Sequence, residues 1–452
     1  MHDFDELRRS YPVFHYDGYD ISRTEDGILL SFDFGFDALA QFHPQTRIVT
    51  DNLNIVNDFD SPTARAIVFV LGLVEAVSYY KAVCSPVFEV RCGALTAEQK
   101  RWWKKLWYHG LGEFFYRNDI YTDEESFVEF RCSETVTPVP CDFHGSGLHI
   151  VPIGGGKDSA VSLSLLQNER ERIFGFTVND QPARTDTLRA AGLADTQCIR
   201  TYRTIDPELL RLNREGFLNG HTPFSAIVAF LSLYCAYLIG AEDIILSNES
   251  SANESNICGT DINHQYSKSF AFEQDFCNYI QYALNMPVRY FSLLRPFNEL
   301  QIAKQFAALP QYHGIFKSCN VGSKRNVWCC NCAKCLFVYC ILSPFLSEEK
   351  LVAIFGENLL NKESLSADFQ GLCGLSPVKP FECIGTVREV RAALCRTIAQ
   401  YKTDGKPLPY LLTLCDGKFT ADNPLNDFNA EHNIPPEFQG FMKEMADFVR
   451  TD

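Results

Sequence analysis

The sequence has no excess of basic residues: 41 lysines and arginines face 56 aspartates and glutamates, a net charge of −15 over 452 residues. So acidic a chain has no general attraction for nucleic acid or anionic lipid, and an anionic ligand would need a local cluster of donors. No leader is expected either. The opening Met1-His-Asp-Phe-Asp-Glu6 is acidic and holds no apolar h-region, so no secretory signal is expected. No internal repeat or low-complexity tract occurs, and 46% apolar with 21% charged residues excludes disordered and collagen-like chains. Cysteine is plentiful at 18, but its mostly irregular spacing does not suit a disulfide framework. Reduced thiols in a cytoplasm are the expectation. The uncharged stretch 223–241 is long enough to span a bilayer, yet it holds Ser225, Ser232, Tyr234 and Tyr237 between strand-like segments. It is expected to be a buried helix, with no membrane contact.

The length suits two to four domains. Residues 13–49 alternate apolar and polar, as antiparallel strands do, and Thr63–Lys81 and Thr96–Tyr116 carry apolar residues at helical spacing. Gly145-Ser-Gly147 reads as a joint. Strand and helix then alternate: 148–153, 159–167, 173–178, 182–192, 198–201, 223–240 and 243–246. That order predicts a parallel, doubly wound α/β sheet. The expected division is an N-terminal α+β domain over 1–145, an α/β domain over 146–345 and a mainly helical segment over 346–452.

The most informative run is Leu148-His-Ile-Val-Pro-Ile-Gly154-Gly155-Gly156-Lys157-Asp158-Ser159. A strand enters three glycines and a helix opens. Glycines let several backbone N–H groups converge, and the helix N-terminus adds its dipole, so phosphate oxygens should bind there. Lys157 supplies a charge and Ser159 a hydroxyl. A Walker A loop would need Gly where Val151 stands and Ser or Thr where Asp158 stands. The dinucleotide fingerprint would need Gly or Ala at Ser159. The run resembles instead the Ser-Gly-Gly-x-Asp-Ser loop of the PP-loop ATP pyrophosphatases, with Gly154 in place of the first serine. That resemblance implies ATP cleaved between its α and β phosphates, Gly155, Gly156, Asp158 and Ser159 around the leaving pyrophosphate, Mg²⁺ or the loop oriented by Asp158, and adenosine read near Phe176–Asn179.

Ser247-Asn248-Glu249-Ser250 follows the strand ending at Leu246, and ligands of open parallel sheets sit beyond such strand ends. Asn263-His264-Gln-Tyr266-Ser-Lys268-Ser269 and Glu273 come next, a run with unusually little apolar filler. Together with Gly110-Leu-Gly-Glu-Phe-Phe-Tyr-Arg-Asn118, Trp328-Cys-Cys-Asn-Cys-Ala-Lys-Cys335 and Lys379-Pro-Phe-Glu-Cys-Ile384, these segments resemble the UDP-N-acetylmuramoyl-L-alanyl-L-glutamate epimerase family over most of the chain. The resemblance implies ATP- and Mg²⁺-dependent inversion of the terminal glutamate of a UDP-muramyl dipeptide in peptidoglycan precursor synthesis. Adenylating the glutamate carboxylate would remove the charge that otherwise opposes loss of the α-proton. His264, Tyr266 and Lys268 are the candidate acid–base groups, with Glu273 as orienter or alternative base. Asn179, Asn248 and Glu249 are candidate nucleotide contacts. Arg117 and Lys81 could meet diphosphate or carboxylate, although surface ion pairing would suit either. An amide ligase, a 7-cyano-7-deazaguanine synthase-like enzyme and a non-catalytic ATP-binding module are the alternatives.

Cys329-x-x-Cys332-x-x-Cys335, with Cys319 ten positions upstream, offers four thiolates for a tetrahedral structural Zn²⁺. A related layout in the PP-loop 7-cyano-7-deazaguanine synthases is a structural zinc site. A redox-active or sulfur-carrying pair and metal-free thiols are the rival readings.

Overall fold

One sheet runs through the protein, assembled in the computed structural model from eleven strands among the described residues. Those residues are 2–451 apart from Cys141, 254–265, 377, 378, Phe381, Cys383 and Ala421. The strands are β1 (Val13–Arg23), β2 (Gly27–Phe36), β3 (Ala40–Phe42), β4 (Gln45–Val49), β5 (Val87–Ala94), β6 (Glu129–Ser133), β7 (Leu148–Pro152), β8 (Ile173–Val178), β9 (Cys198–Arg203), β10 (Ala241–Leu246) and β11 (Arg289–Ser292). Their spatial order is β11-β10-β7-β8-β9-β4-β2-β1-β5-β6, with β3 on β2.

From β11 to β9 every neighbour is parallel, as the strand–helix alternation predicts. β8 and β10 are buried on both faces, which explains their nearly continuous apolar runs. Pro152 falls on the last residue of β7, where its missing N–H leaves the strand interior intact. β1 to β4 are antiparallel to their neighbours within the N-terminal part, whereas β5 and β6, not foreseen in the sequence, run parallel to β1 and β5. β4 pairs antiparallel with β9, Ile48 opposite Thr201, so the sheet crosses the joint at 145–147 unbroken. The joint is itself tied down: Ser146 donates its N–H to the Gly240 carbonyl at 2.8 Å and its hydroxyl to Ile239 at 2.9 Å.

Alternation along the strands separates two cores. Ile150 and Ile244 face one side with the helix Phe224–Ile239 and the aromatic N-terminal part; Val151 and Ile245 face the other with the helices beyond β11. The uncharged stretch 223–241 is the buried helix expected, stopped by Gly240 at φ +71°, where a Cβ would meet the His144 carbonyl at 2.4 Å. Among the described residues one helix, Pro62–Tyr80, is long and apolar enough to cross a membrane, but it is largely buried here. Its Glu75 takes both Nε and Nη2 of Arg203 at 2.7 Å, a pairing that belongs to a protein interior.

Candidate functional site

Strand order reverses between β7 and β10. The chain leaves β7 towards β8 on one side and leaves β10 towards β11 on the other, and the crevice beyond their carboxyl ends is where such sheets bind ligands. A cleft of about 320 Å³ lies there. One wall is Pro152–Gly154, Gly156, Asp158 and Ser159; the facing wall is Leu246–Asn248 and Lys268. Phe176, Val178 and Arg184 close one end, and Ser318, Asn320 and Lys334 come in from a later part of the chain.

The glycine loop is a tight turn that opens a helix. Gly155 sits at φ +82°, and a Cβ there would press on Ala183 and the Arg184 nitrogen at 3.1–3.2 Å, so glycine is required. Its carbonyl accepts the Lys317 N–H at 2.8 Å. Gly154 is exposed, with nothing within 4 Å of a Cβ. Gly156 caps the helix Lys157–Leu165 without any side-chain bond, which leaves the first-turn N–H groups directed at the cleft. Ser159 donates its hydroxyl to the Gly156 carbonyl at 3.2 Å. Across the gap, the buried Ser247 hydroxyl and Arg184 Nε have no hydrogen-bond partner among the described residues.

Lys157 does not join the cleft wall. Its ammonium turns inward, only 4% exposed, onto the carboxylates of Asp158 and Glu299. These and the buried Glu249 hold the lysine charged, while burial pushes Glu299 up out of the ordinary carboxylate range. Glu389, also raised by burial, accepts the Glu299 N–H at 2.9 Å. Glu249 therefore belongs to the carboxylate cluster beneath the loop. Asn179, at φ +56°, braces the backbone: its Oδ1 accepts the Arg203 N–H at 2.8 Å and its carbonyl accepts from Arg184 at 2.5 Å.

The polar run divides. Asn248 and Lys268 reach the cleft. Tyr266 turns the other way and stacks on His109 at 5.1 Å, and burial pushes its phenol pKa up. Glu273 is committed to Arg295, a fully buried arginine that reaches its Oε2 at 3.0 Å. The same guanidinium donates to the Glu249 carbonyl at 2.9 Å and the Lys268 carbonyl at 2.7 Å, so it fixes both polar segments. Burial still raises Glu273, with Arg295 opposing. His264 lies outside the described residues. Of the two outlying cations, Arg117 pairs with Glu113 at 2.5 Å, but Lys81 is no surface ion pair: buried, it donates to the Gly220 carbonyl and is pushed down to about 8 by burial.

Sequence reasoning missed Arg295, Glu299, Glu389, Arg184 and Ser318. Arg295 had a signal, a lone charge in Tyr290-Phe-Ser-Leu-Leu-Arg-Pro-Phe297. Such a charge in an apolar run must find a buried partner. The four expected metal ligands do converge: the Sγ atoms of Cys319, Cys329, Cys332 and Cys335 lie within 4.8 Å of one another.

A doubly wound α/β protein with a glycine-rich loop and a cleft at its switch point is what the structure defines. Comparison with known proteins narrows this. The chain matches the MurL N-terminal domain over residues 5–293 and the MurL C-terminal domain over residues 315–412, and it belongs to the MurL family. It is 36% identical over 382 residues to the UDP-N-acetyl-alpha-D-muramoyl-L-alanyl-L-glutamate epimerase of Xanthomonas oryzae pv. oryzae, covering 81% of this chain and 83% of that one. A Micromonospora protein of the same name is 31% identical over 84% and 87% of the two chains.

Proposed function

We propose that this protein inverts the α-carbon of the terminal glutamate of UDP-MurNAc-L-Ala-L-Glu by way of an acyl-adenylate. The family supports the substrate and the epimerisation. The nucleotide step is supported by one observation above the rest: the uncapped glycine loop, Asn248 and Lys268 line a single cleft at the switch point. In this reading the fold is that of a PP-loop ATP pyrophosphatase. A glutamate carboxylate oxygen attacks the α-phosphorus of ATP and pyrophosphate departs onto the first-turn N–H groups of Lys157–Leu165. Mg²⁺, when bound, offsets the phosphate charge, with Asp158 at the cleft wall as the carboxylate placed to hold it. The acyl-adenylate no longer carries a carboxylate charge, so the α-proton can leave to a base on one face and a proton can return on the other. Water then cleaves the acyl phosphate and releases AMP. Of the described acid–base candidates Tyr266, Lys268 and Glu273, Lys268 is the one that lines this cleft, and it is assigned the proton-transfer role.

The N-terminal part supports recognition of the nucleotide-sugar half. A second cavity of about 460 Å³ is lined by Tyr108, His109, Phe115, Tyr116, Tyr121 and Thr122. Flat aromatic walls suit a pyrimidine ring. Tyr266 stacks on this cavity's His109 while Lys268, two residues on, reaches the cleft, so one short segment connects the two cavities.

Incubation with the muramyl dipeptide, ATP and Mg²⁺ in heavy water is expected to give AMP, pyrophosphate and deuterium at the glutamate α-carbon. ADP as the only nucleotide product would refute the adenylation step, and an unlabelled α-carbon the epimerisation. Tyr121→Ala is expected to raise KM for the muramyl dipeptide while leaving that for ATP unchanged.

A further inference from the structure

We propose that Cys319, Cys329, Cys332 and Cys335 bind one zinc ion as four thiolates, and that this metal positions the cleft wall carrying Ser318, Asn320 and Lys334. Zn–S bonds of about 2.3 Å in a tetrahedron set sulfurs roughly 3.8 Å apart. Cys335 Sγ lies 3.7 Å from Cys329 Sγ and 3.5 Å from Cys332 Sγ, near that spacing, and all four sulfurs lie within 4.8 Å of one another. Backbone N–H groups are aimed at two of the sulfurs, Gly322 at Cys319 (3.1 Å) and Asn331 at Cys329 (3.5 Å), as suits ligands that ionise. The turn after Cys319 is too tight for a side chain: a Cβ on Gly322 would lie 1.9 Å from the Val327 carbonyl oxygen. The fifth thiol of the stretch, Cys330, turns away and donates to the Phe355 carbonyl at 3.0 Å. Four protein ligands close the coordination shell, which makes the site structural. On binding, the thiol protons leave to solvent.

The consequence for the cleft follows from the chain path. Between Phe316 and Cys332 the segment has a single 3₁₀ turn, Ser323–Arg325, as regular structure, so little backbone pairing fixes it. Yet it touches the phosphate loop directly through the Lys317 N–H on the Gly155 carbonyl, and Ser318, Asn320 and Lys334 each adjoin a ligand cysteine. A metal joining Cys319 to the start of the helix Ala333–Leu342 supplies the missing constraint.

Elemental analysis of the full chain purified from zinc-supplemented cells is expected to find one zinc per chain. Cys330→Ser should retain it and Cys332→Ser should lose it. MgATP affinity by calorimetry should fall at least tenfold in Cys332→Ser and stay unchanged in Cys330→Ser. Should Cys332→Ser not fold, growth of the unaltered chain with cobalt should give the ligand-field bands of tetrahedral thiolate Co²⁺. Substoichiometric zinc, a bound iron chromophore, a disulfide among the four cysteines of freshly purified protein, or zinc retained by Cys332→Ser would overturn the site. Zinc lost with ATP affinity intact would overturn its effect on the cleft. The metal content is measured without nucleotide, so it stands or falls separately from the adenylation reading.

Discussion

The N-terminal part and the switch point bury different kinds of side chain. Around the helices Pro62–Tyr80 and Ala97–Gly110 the interior is aromatic: Trp107 packs on Tyr80 and Phe88 at 4.8 and 4.7 Å and on Phe130 edge to face. The polar atoms there are matched one to one, Trp103 Nε1 on the Tyr279 hydroxyl and Trp107 Nε1 on the Leu73 carbonyl. Under the glycine loop the chain buries the ammonium of Lys157 with the carboxyl groups of Glu299 and Glu249, and the part-exposed Asp158 lies beside them. Removing charges from water costs several kcal/mol each, more than packing recovers. Stability alone accounts for the first region and does not account for the second.

The sharpest way to break this contrast is to unbalance the charged region. Arg295→Met strands Glu273, and denaturant titration should show a loss of about 3–5 kcal/mol, largely restored in the Arg295→Met/Glu273→Leu double variant. No restoration would mean that the pair is not what the arginine serves. Trp107→Ala in the aromatic region should cost about 3–5 kcal/mol through its cavity, and the folded fraction should bind MgATP as before. Weakened nucleotide binding there would erase the division between the regions.

Gly155→Ala should cost about 1–3 kcal/mol, since alanine must adopt a left-handed backbone against Ala183, and should abolish MgATP binding by calorimetry. pH supplies the next test. Folding raises Glu299, so the folded state holds its proton more tightly than the unfolded chain does. The stabilisation is complete at low pH and is lost as pH climbs from the carboxylate range through neutrality. Urea midpoints at about pH 5 and about pH 8 should therefore differ in the unaltered protein and differ less in Glu299→Gln, where Glu389 and Glu273 still contribute. The smallest effect belongs to Gly154→Ser, within about 0.5 kcal/mol, because its Cβ meets open space. A large loss would show that the loop is tighter than its geometry states.

Much of the parallel sheet was legible because its signals are local. Ile173–Val178 reads as a strand from its apolar run alone, and three glycines between a strand and a helix mark a tight turn into that helix. The cysteine cluster was legible for the same reason, three of its members lying within seven residues. The polar run was legible only as a whole. Tyr266 and Lys268 are two residues apart on a 3₁₀ turn, where each residue advances about a third of a turn, so Tyr266 stacks on His109 while Lys268 lines the cleft. The family resemblance drew attention to both and could not say which faced the cleft.

By itself the sequence determined the order of elements in the parallel sheet, the glycine loop, the four thiols and the net acidity, because each is set by neighbouring residues or by composition. Tertiary structure decided the rest. Lys157 belongs to Glu299 rather than to the cleft because a carboxylate 142 positions later arrives beside it. Arg295 became the tie between two polar segments because β11 ends next to β10, and β4 joined two sheets into one through β9. Such pairings depend on distances in space that no local pattern encodes. In a low-dielectric interior, those distances decide which charges are neutralised within the protein and which are left to meet a ligand.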